Sequence, residues 1–528
     1  MNQPATTPHA PSGEPAAAEG AAALRTPAHR PPIWPRPGRT APPVVLAAAV
    51  AAGLTAAFVV PLGRLGLGWP ITASVLFGLG ALIVRRAPAA DRDAAVDQPD
   101  APAVRPGKQS KARWTALWTA LALALLVVTA VRAAEWLGVL CLLCAAVAGS
   151  LAVAGGRSTR GLLLGAVAVP ALAVGALPWA GRGVRALRRR GGANPPRILA
   201  AVLVSAALLA VFVPLLAGAD AAFDHLVRDL IPTLSDQTIV RTVLFTVFAL
   251  SAVGAGYLLL APARPDPVTT GAGRLRRVEW ALPVGLLVAL FTTFVVVSLA
   301  TLFGGAEHVL RTTGLTYAEY ARSGFWQLLL VSLLTLPVIM VAGRYAATTT
   351  SADRVWLRGL LGGLAVLTLV IVASALSRMW AYQQAYGFTV LRVLVSAMEL
   401  WLGGVYLMVL GAGRRLRAPW LPRAVVGSGL IALLVIGAAN PDRFIAERNI
   451  DRWQHSGVID VDYLRDLSAD VVPALERLPE PLRDCVLGRF AVEHAQPESP
   501  RSWNLGRSLA RARTAGWTGG DSRCTTRP

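Results

Sequence analysis

The stretch LRVLVSAMELWLGGVYLMVLG, residues 391–411, decides the fold. It stays apolar for roughly 20 residues, and a helix rising about 1.5 Å per residue crosses a hydrocarbon layer of about 30 Å in that length. Glu399 is its single carboxylate, near the middle. Working outward, runs of the same kind recur at 44–63, 66–84, 114–131, 136–154, 161–180, 198–218, 242–261, 281–303, 325–343, 359–376 and 424–439. The chain has 528 residues, of which 54% are hydrophobic and only 15% charged. Its mean hydropathy is +0.53. That composition excludes a soluble enzyme of ordinary make-up. The expected fold class is all-α: a polytopic transmembrane helical bundle of about 11 to 13 helices with a small C-terminal α-helical extramembrane module.

Polar segments divide the chain. Residues 1–43 read as a disordered, basic, Pro/Ala-rich tail without the pattern of a secretory signal, because the first apolar run already has spanning length. A first helix pair follows at 44–84, a flexible polar linker at 85–113, a second transmembrane group at 114–180 and the main transmembrane region at 181–439. In the tail at 440–528, Asn440 before Pro441 reads as a helix start and Gly457 as its stop. Further starts at Asp460, at Ser468 and after Pro500 give four or five short helices.

The formal net charge is +21, carried almost wholly by arginine. The tail beyond residue 440 holds 13 Arg against 13 Asp plus Glu, so the excess lies in the membrane portion and its loops. Basic loops are retained on the cytoplasmic side. The segments 182–197, 264–277, 344–358 and 414–423 therefore belong inside, and the more acidic and aromatic loops 220–236, 304–324 and 378–389 outside. A basic start inside and a neutral tail outside require an odd number of crossings, against twelve candidate runs. The weakest is 161–180, with Pro170 and Pro178; a re-entrant or interfacial path there restores the parity. This pattern points to a multi-pass membrane protein with its basic loops on the cytoplasmic side, whose partners are membrane lipids. The basic charge is read as facing anionic lipid and not nucleic acid.

Nucleotide-binding, zinc-protease and nucleophile-elbow motifs are absent, and the six histidines are scattered, so no catalytic residue, metal or cofactor is assigned. Cys141 and Cys144 lie within an apolar run and read as small hydrophobes, while Cys485 and Cys524 could pair if the tail is outside. What remains is ionisable groups at membrane depth, which are costly unless paired or wetted. Glu399 shares a helix face with Arg392 and Ser396. It reads either as a proton, cation or substrate site, or as a protonated carboxyl that only fixes helix packing. Arg378 and Arg392, with Tyr382 and Tyr386, form an exterior group that could hold an anionic headgroup; ion pairing with nearby acids is the plainer reading. In the other exterior loops, Asp220 and Asp224 lie four residues apart, and Glu307, His308, Tyr317, Glu319, Tyr320 and Arg322 cluster in sequence. Paired carboxylates can serve acid and base roles, but capping or ion pairing is the simpler expectation.

Four blocks carry a resemblance: Ala219-Asp220 with Phe223, YAEYARSGFWQL at 317–328, RMWAYQQAYGFTVLR at 378–392, and NPDRFIAERN with DVDYLRDLSADVVP between 440 and 473. Together they resemble the bacterial multi-pass membrane proteins of domain of unknown function 4173, near the 4153 group, over roughly residues 195 to 475. The arginine-rich, alanine-rich composition is similar to that of actinobacterial proteins. The resemblance implies the polytopic fold and supplies no activity. Three functions stay open: binding or moving a polar or anionic small molecule or lipid, scaffolding or sensing through the C-terminal tail, and a transferase acting on a lipid-linked substrate.

Overall fold

A computed structural model describes residues 40–86, 108–190, 236–261, 275–303, 324–347, 349–414, 418–480 and 482–517, with single positions at 212, 216, 220 and 223. The N-terminal tail up to residue 39, most of the linker and the run 198–218 lie outside the described residues. Among these residues the chain is all-α, with one isolated bridge between Leu275 and Ala346. Among the described residues, nine helices are long and apolar enough to cross a membrane.

The first half comprises α1 (Pro43–Val59), α2 (Gly68–Arg86), α3 (Lys108–Val131), α4 (Glu135–Ala154), three short helices α5 (Thr159–Ala166), α6 (Ala168–Gly175) and α7 (Leu177–Arg190), and α8 (Asp236–Leu260). The second half has α9 (Arg277–Phe303), α10 (Phe325–Tyr345), α11 (Ser351–Tyr386), α12 (Val390–Gly413) and α13 (Leu421–Ala439). Their outward faces are apolar: Leu282, Leu286 and Leu290 of α9, one turn apart, are each more than 60% exposed, as a lipid-facing stripe should be. The core divides accordingly. One cluster joins α2, α3, α4 and α13, a second α1, α6, α7 and α8, and a third α9 to α12.

The candidate run 161–180 is not one crossing helix. It breaks at Val167 and Ala176, so that Pro170 and Pro178 fall in the first turns of α6 and α7, where a missing N–H leaves no gap in the helix. Each contact of α5 to α7 lies at one end of the bundle. Ser150 Oγ, near the end of α4, donates to Gly165 O at 2.6 Å and accepts from Val169 N at 3.1 Å. Trp179 meets Tyr257 edge-on at 5.4 Å, and a Cβ on Gly183 would strike Ala41.

Arginine gathers at that same end. Arg423 Nε donates to the Gly156 carbonyl at 2.7 Å, and its guanidinium lies 4.7 Å from the centre of the Trp114 ring. Arg277 pairs with Asp353 at 2.6 Å, and Asp353 closes a capping box with Thr350 at the start of α11. The opposite end carries the C-terminal module: α14 (Pro441–Ser456), α15 (Val461–Asp466), a 3-10 turn (Ala469–Val471), α16 (Val472–Leu475), α17 (Leu482–Glu493) and α18 (Leu505–Thr514). Asn440, in left-handed backbone at φ 54°, starts α14, and Gly457 at φ 71° stops it. Cys141 and Cys144 are free thiols; Cys485 is disulfide-bonded, while Cys524 lies outside the described residues.

Candidate functional site

Residues 392, 396, 399, 403 and 406 of α12 repeat at helical spacing and line one face. At the module end Arg392 closes the turn between α11 and α12. Its Nη1 donates to the carbonyls of Tyr386 and Gly387, its Nη2 to the Tyr382 hydroxyl at 3.2 Å, and its guanidinium stands 4.3 Å from the centre of that ring. One turn deeper, Ser396 Oγ donates to Arg392 O at 2.8 Å and accepts from Gln383 Nε2 at 3.1 Å. Glu399 follows, about 14 Å along the helix from its start, hence near half depth. It is 0% exposed, and among the described residues neither carboxylate oxygen has a hydrogen-bond partner. Gly403, one turn on, faces Val372 and Leu369 of α11 at ordinary contact distance. Two turns beyond Glu399, the buried Tyr406 hydroxyl donates to the Ser332 carbonyl of α10 at 2.5 Å, with Thr335 and Thr368 facing it. Ser332 Oγ is also buried without a partner.

The module is fastened over the column and its neighbours by side chains that bond helix-end backbone. Asn449 accepts from Phe388 N at 2.8 Å and donates to Phe388 O at 2.9 Å, and the Tyr463 hydroxyl accepts from Val390 N at 2.8 Å. Asp470 accepts from Ala133 N at 2.7 Å, Asp442 from the Trp136 indole N–H at 3.1 Å and from Ser468 N at 3.1 Å. Asn504 Nδ2 donates to Thr129 O and Arg132 O, and Arg132 in turn donates to Gly437 O and Ala438 O. Helix ends leave carbonyls and N–H groups without intrahelical partners, and here those of the α3–α4 turn, the α11–α12 turn and the end of α13 are satisfied by the module or by one another.

The model of the family described as "Domain of unknown function (DUF4153)" matches residues 119–478. The chain belongs to this family. The match takes in the whole α12 column, both arms of the α11–α12 turn and the module through α16, and leaves α1, α2, α17 and α18 outside. The sequence motifs were likened to the 4173 group with the 4153 group beside it; it is the 4153 description that the family match carries. No curated protein and no solved structure matches the chain.

Within this member of DUF4153, the residues singled out from sequence separate. Glu399, Ser396, Arg392, Tyr382 and Tyr386 come together, the two tyrosine rings 5.0 Å apart. Arg378 stands apart from Arg392, one turn before Tyr382 on α11 and near Gly324 at the start of α10. Arg392 already serves two carbonyls and a phenol, which weakens the expectation of a paired-arginine anion site. Asp220 Oδ1 accepts from Phe223 N at 3.0 Å, the geometry of a helix cap. Asp224, Glu307, His308, Tyr317, Glu319, Tyr320 and Arg322 lie outside the described residues. Sequence reading singles out Gln383 in the exterior group beside Tyr382; it missed Tyr406, Asp442, Asp470 and Asn504. Tyr406 was findable as a phenol seven residues after Glu399; the others act through distant backbone and leave no local signal.

Burial pushes the Asp470 carboxyl up to about 6, with the Ala133 N–H and nearby Arg132 opposing and the Asp442 charge adding to the rise. The docked module therefore holds a proton that an undocked one would release, and docking weakens as pH climbs from about 4 to about 6. His494 works the other way: burial lowers its pKa, so its contribution fades as pH falls. Asp470→Asn keeps an acceptor for Ala133 N–H and removes the titration. In thermal unfolding of the detergent-solubilised chain, the variant should match wild type at low pH and exceed it by several degrees at pH above neutrality. Equal melting temperatures across the range would contradict a buried, docked Asp470.

Proposed function

We propose that this protein binds or moves a polar small molecule or lipid across the membrane, with Glu399 as the carboxyl that takes up and releases a proton or cation in step. One observation carries the reading: a carboxyl buried at half depth with both oxygens unpartnered. An unpartnered polar group in such surroundings costs several kcal/mol, and a residue serving packing alone would be apolar or hydrogen-bonded. The column supports it further. Arg392, Gln383 and Ser396 give polar groups from the module end down to Glu399, and Tyr406 with Ser332 continues them.

The arginine end is taken as cytoplasmic and the module end as exterior, in a bacterial cytoplasmic membrane. The clustering of arginine supports this orientation, and so does disulfide bonding of Cys485, which suits an oxidising side. With α5 to α7 remaining at one end, a crossing by 198–218 gives eleven in all and keeps the basic loops together.

Glu399→Gln tests the reading. In proteoliposomes the variant should keep wild-type abundance and melting behaviour but lose proton movement coupled to an imposed solute gradient. Undiminished movement in a folded variant would remove Glu399 from the function. The rival scaffold reading predicts that deleting the module abolishes function, but the module's bonds to four helix ends make that deletion destabilising under either reading, so it does not discriminate.

A further inference from the structure

A cavity of about 420 Å³ lies where the module meets the bundle, away from the α12 column's buried core. Its floor is the start of α4, with Ala134 and Trp136; its walls come from Asp442, Tyr463, Phe490 and His494 of the module. Two ion pairs stand at the solvent-facing rim, Arg64 with Glu493 at 3.2 Å and Arg489 with Asp466 at 2.7 Å, each partner more than 40% exposed. These four charges are matched, while the Glu135 carboxylate at the same rim has no ion pair among the described residues.

The deeper groups are buried and retain hydrogen-bonding capacity. Asp442 is 1% exposed, and each of its oxygens takes one N–H, leaving further lone pairs. The Tyr463 oxygen accepts from Val390 N, which leaves its O–H proton to donate. His494 is 6% exposed, and its Nδ1 bonds Phe490 O, so a neutral ring offers Nε2 as an acceptor. Arg507, 5% exposed, pairs with Glu498 and donates through Nη2 to Leu65 O and Ser502 O, while its Nη1 has no partner among the described residues. Donors and acceptors therefore alternate around a wall that also contains Trp136 and Phe490. An anionic ligand would find the arginines Arg64, Arg489 and Arg507 engaged and would meet the carboxylates of Glu135 and Asp442. A hydroxyl, which both donates and accepts, fits each of these positions.

We propose that this cavity binds a neutral polyhydroxylated ring, a sugar presented either free or as the headgroup of a membrane glycolipid. Its volume lies within the usual range for small-molecule sites and holds roughly one to two sugar rings. Its floor is a transmembrane turn, so a headgroup at the membrane surface reaches it as readily as a solute. The proposal goes beyond the Glu399 reading and does not depend on it.

Native mass spectrometry of the full chain released from membranes tests it, with maltose as the free probe and diglucosyl diacylglycerol against phosphatidylglycerol as the lipid probe. Wild type should retain one or both sugar probes; maltose adducts identify a solute site, and glycolipid adducts alone a headgroup site. Glu135 is an exposed rim residue, so Glu135→Trp should occlude the mouth without disturbing the core and lower retention about tenfold. His494→Phe, which fills the same space without the acceptor, should lower it as well and serves if the first variant misfolds. The assignment is overturned if neither sugar probe is retained, if both cavity variants bind undiminished, or if choline or inorganic phosphate is retained in preference to the sugars.

Discussion

Glu399→Leu should make the protein more stable and inactive. Leucine has nearly the volume of glutamate, so α12 keeps its packing against α10 and α11 while a buried carboxyl with two unpartnered oxygens disappears. Removing an unsatisfied polar group of this kind is expected to stabilise the fold by about 1–3 kcal/mol. That gain should appear as a melting temperature several degrees above wild type in detergent. Retaining a destabilising group is understandable where it serves function. Glu399→Gln separates charge from polarity: it should melt close to wild type and share the functional loss. If Glu399→Leu instead melts below wild type, the carboxyl is holding helices together, and its role in proton or cation movement falls.

Replacing Asn504 should have the largest structural effect of any single side chain in the module. It is 0% exposed; its Nδ2 donates to Thr129 O at 3.0 Å and Arg132 O at 2.8 Å, and its Oδ1 accepts from Arg507 N at 3.2 Å. One residue thus finishes α3 and starts α18. In Asn504→Leu two carbonyls and an N–H are left buried without partners, at about 1–3 kcal/mol for each group that water cannot reach, so about 3 kcal/mol or more in total. Asn504→Asp keeps the cap on α18 but turns an oxygen toward two carbonyl oxygens, and should be at least as harmful. Both variants should show lower membrane abundance and faster proteolysis within 441–517 while α9 to α12 stay protected. Wild-type protease resistance in both would mean that the module is not held through the α3 end.

The membrane helices were readable because each carries its own signal. The runs at 136–154, 325–343 and 424–439 match α4, α10 and α13 to within two or three residues at either end, since an apolar stretch of spanning length has few alternatives. Boundaries moved where a helix continues into polar surroundings. The run 359–376 is the middle of a 36-residue α11, whose ends hold Asp353 and Tyr386 beyond the apolar window. The run 161–180 is apolar enough to count as a crossing, since hydropathy ignores where apolar residues go, but Pro170 and Pro178 already mark it as the weakest run, and it divides into three short helices. Glu399 was legible as an isolated charge in an apolar run. Its lack of partners was not, because that depends on what α10 and α11 place opposite.

The sequence by itself determined that the chain is a bundle of membrane-length helices and that a helical tail follows Asn440. These are local properties: apolar length, charge and capping residues act within a few turns of themselves. Only the tertiary structure decided that α5 to α7 are three short helices, that Glu399 has no hydrogen-bond partner among the described residues, and that the tail is a cap bonded to distant helix ends. Those facts depend on groups hundreds of residues apart, such as Asn504 with Thr129 and Asp470 with Ala133. A hydrogen bond between side chain and backbone can join any residue that reaches a carbonyl or N–H, so no pattern along the chain announces it.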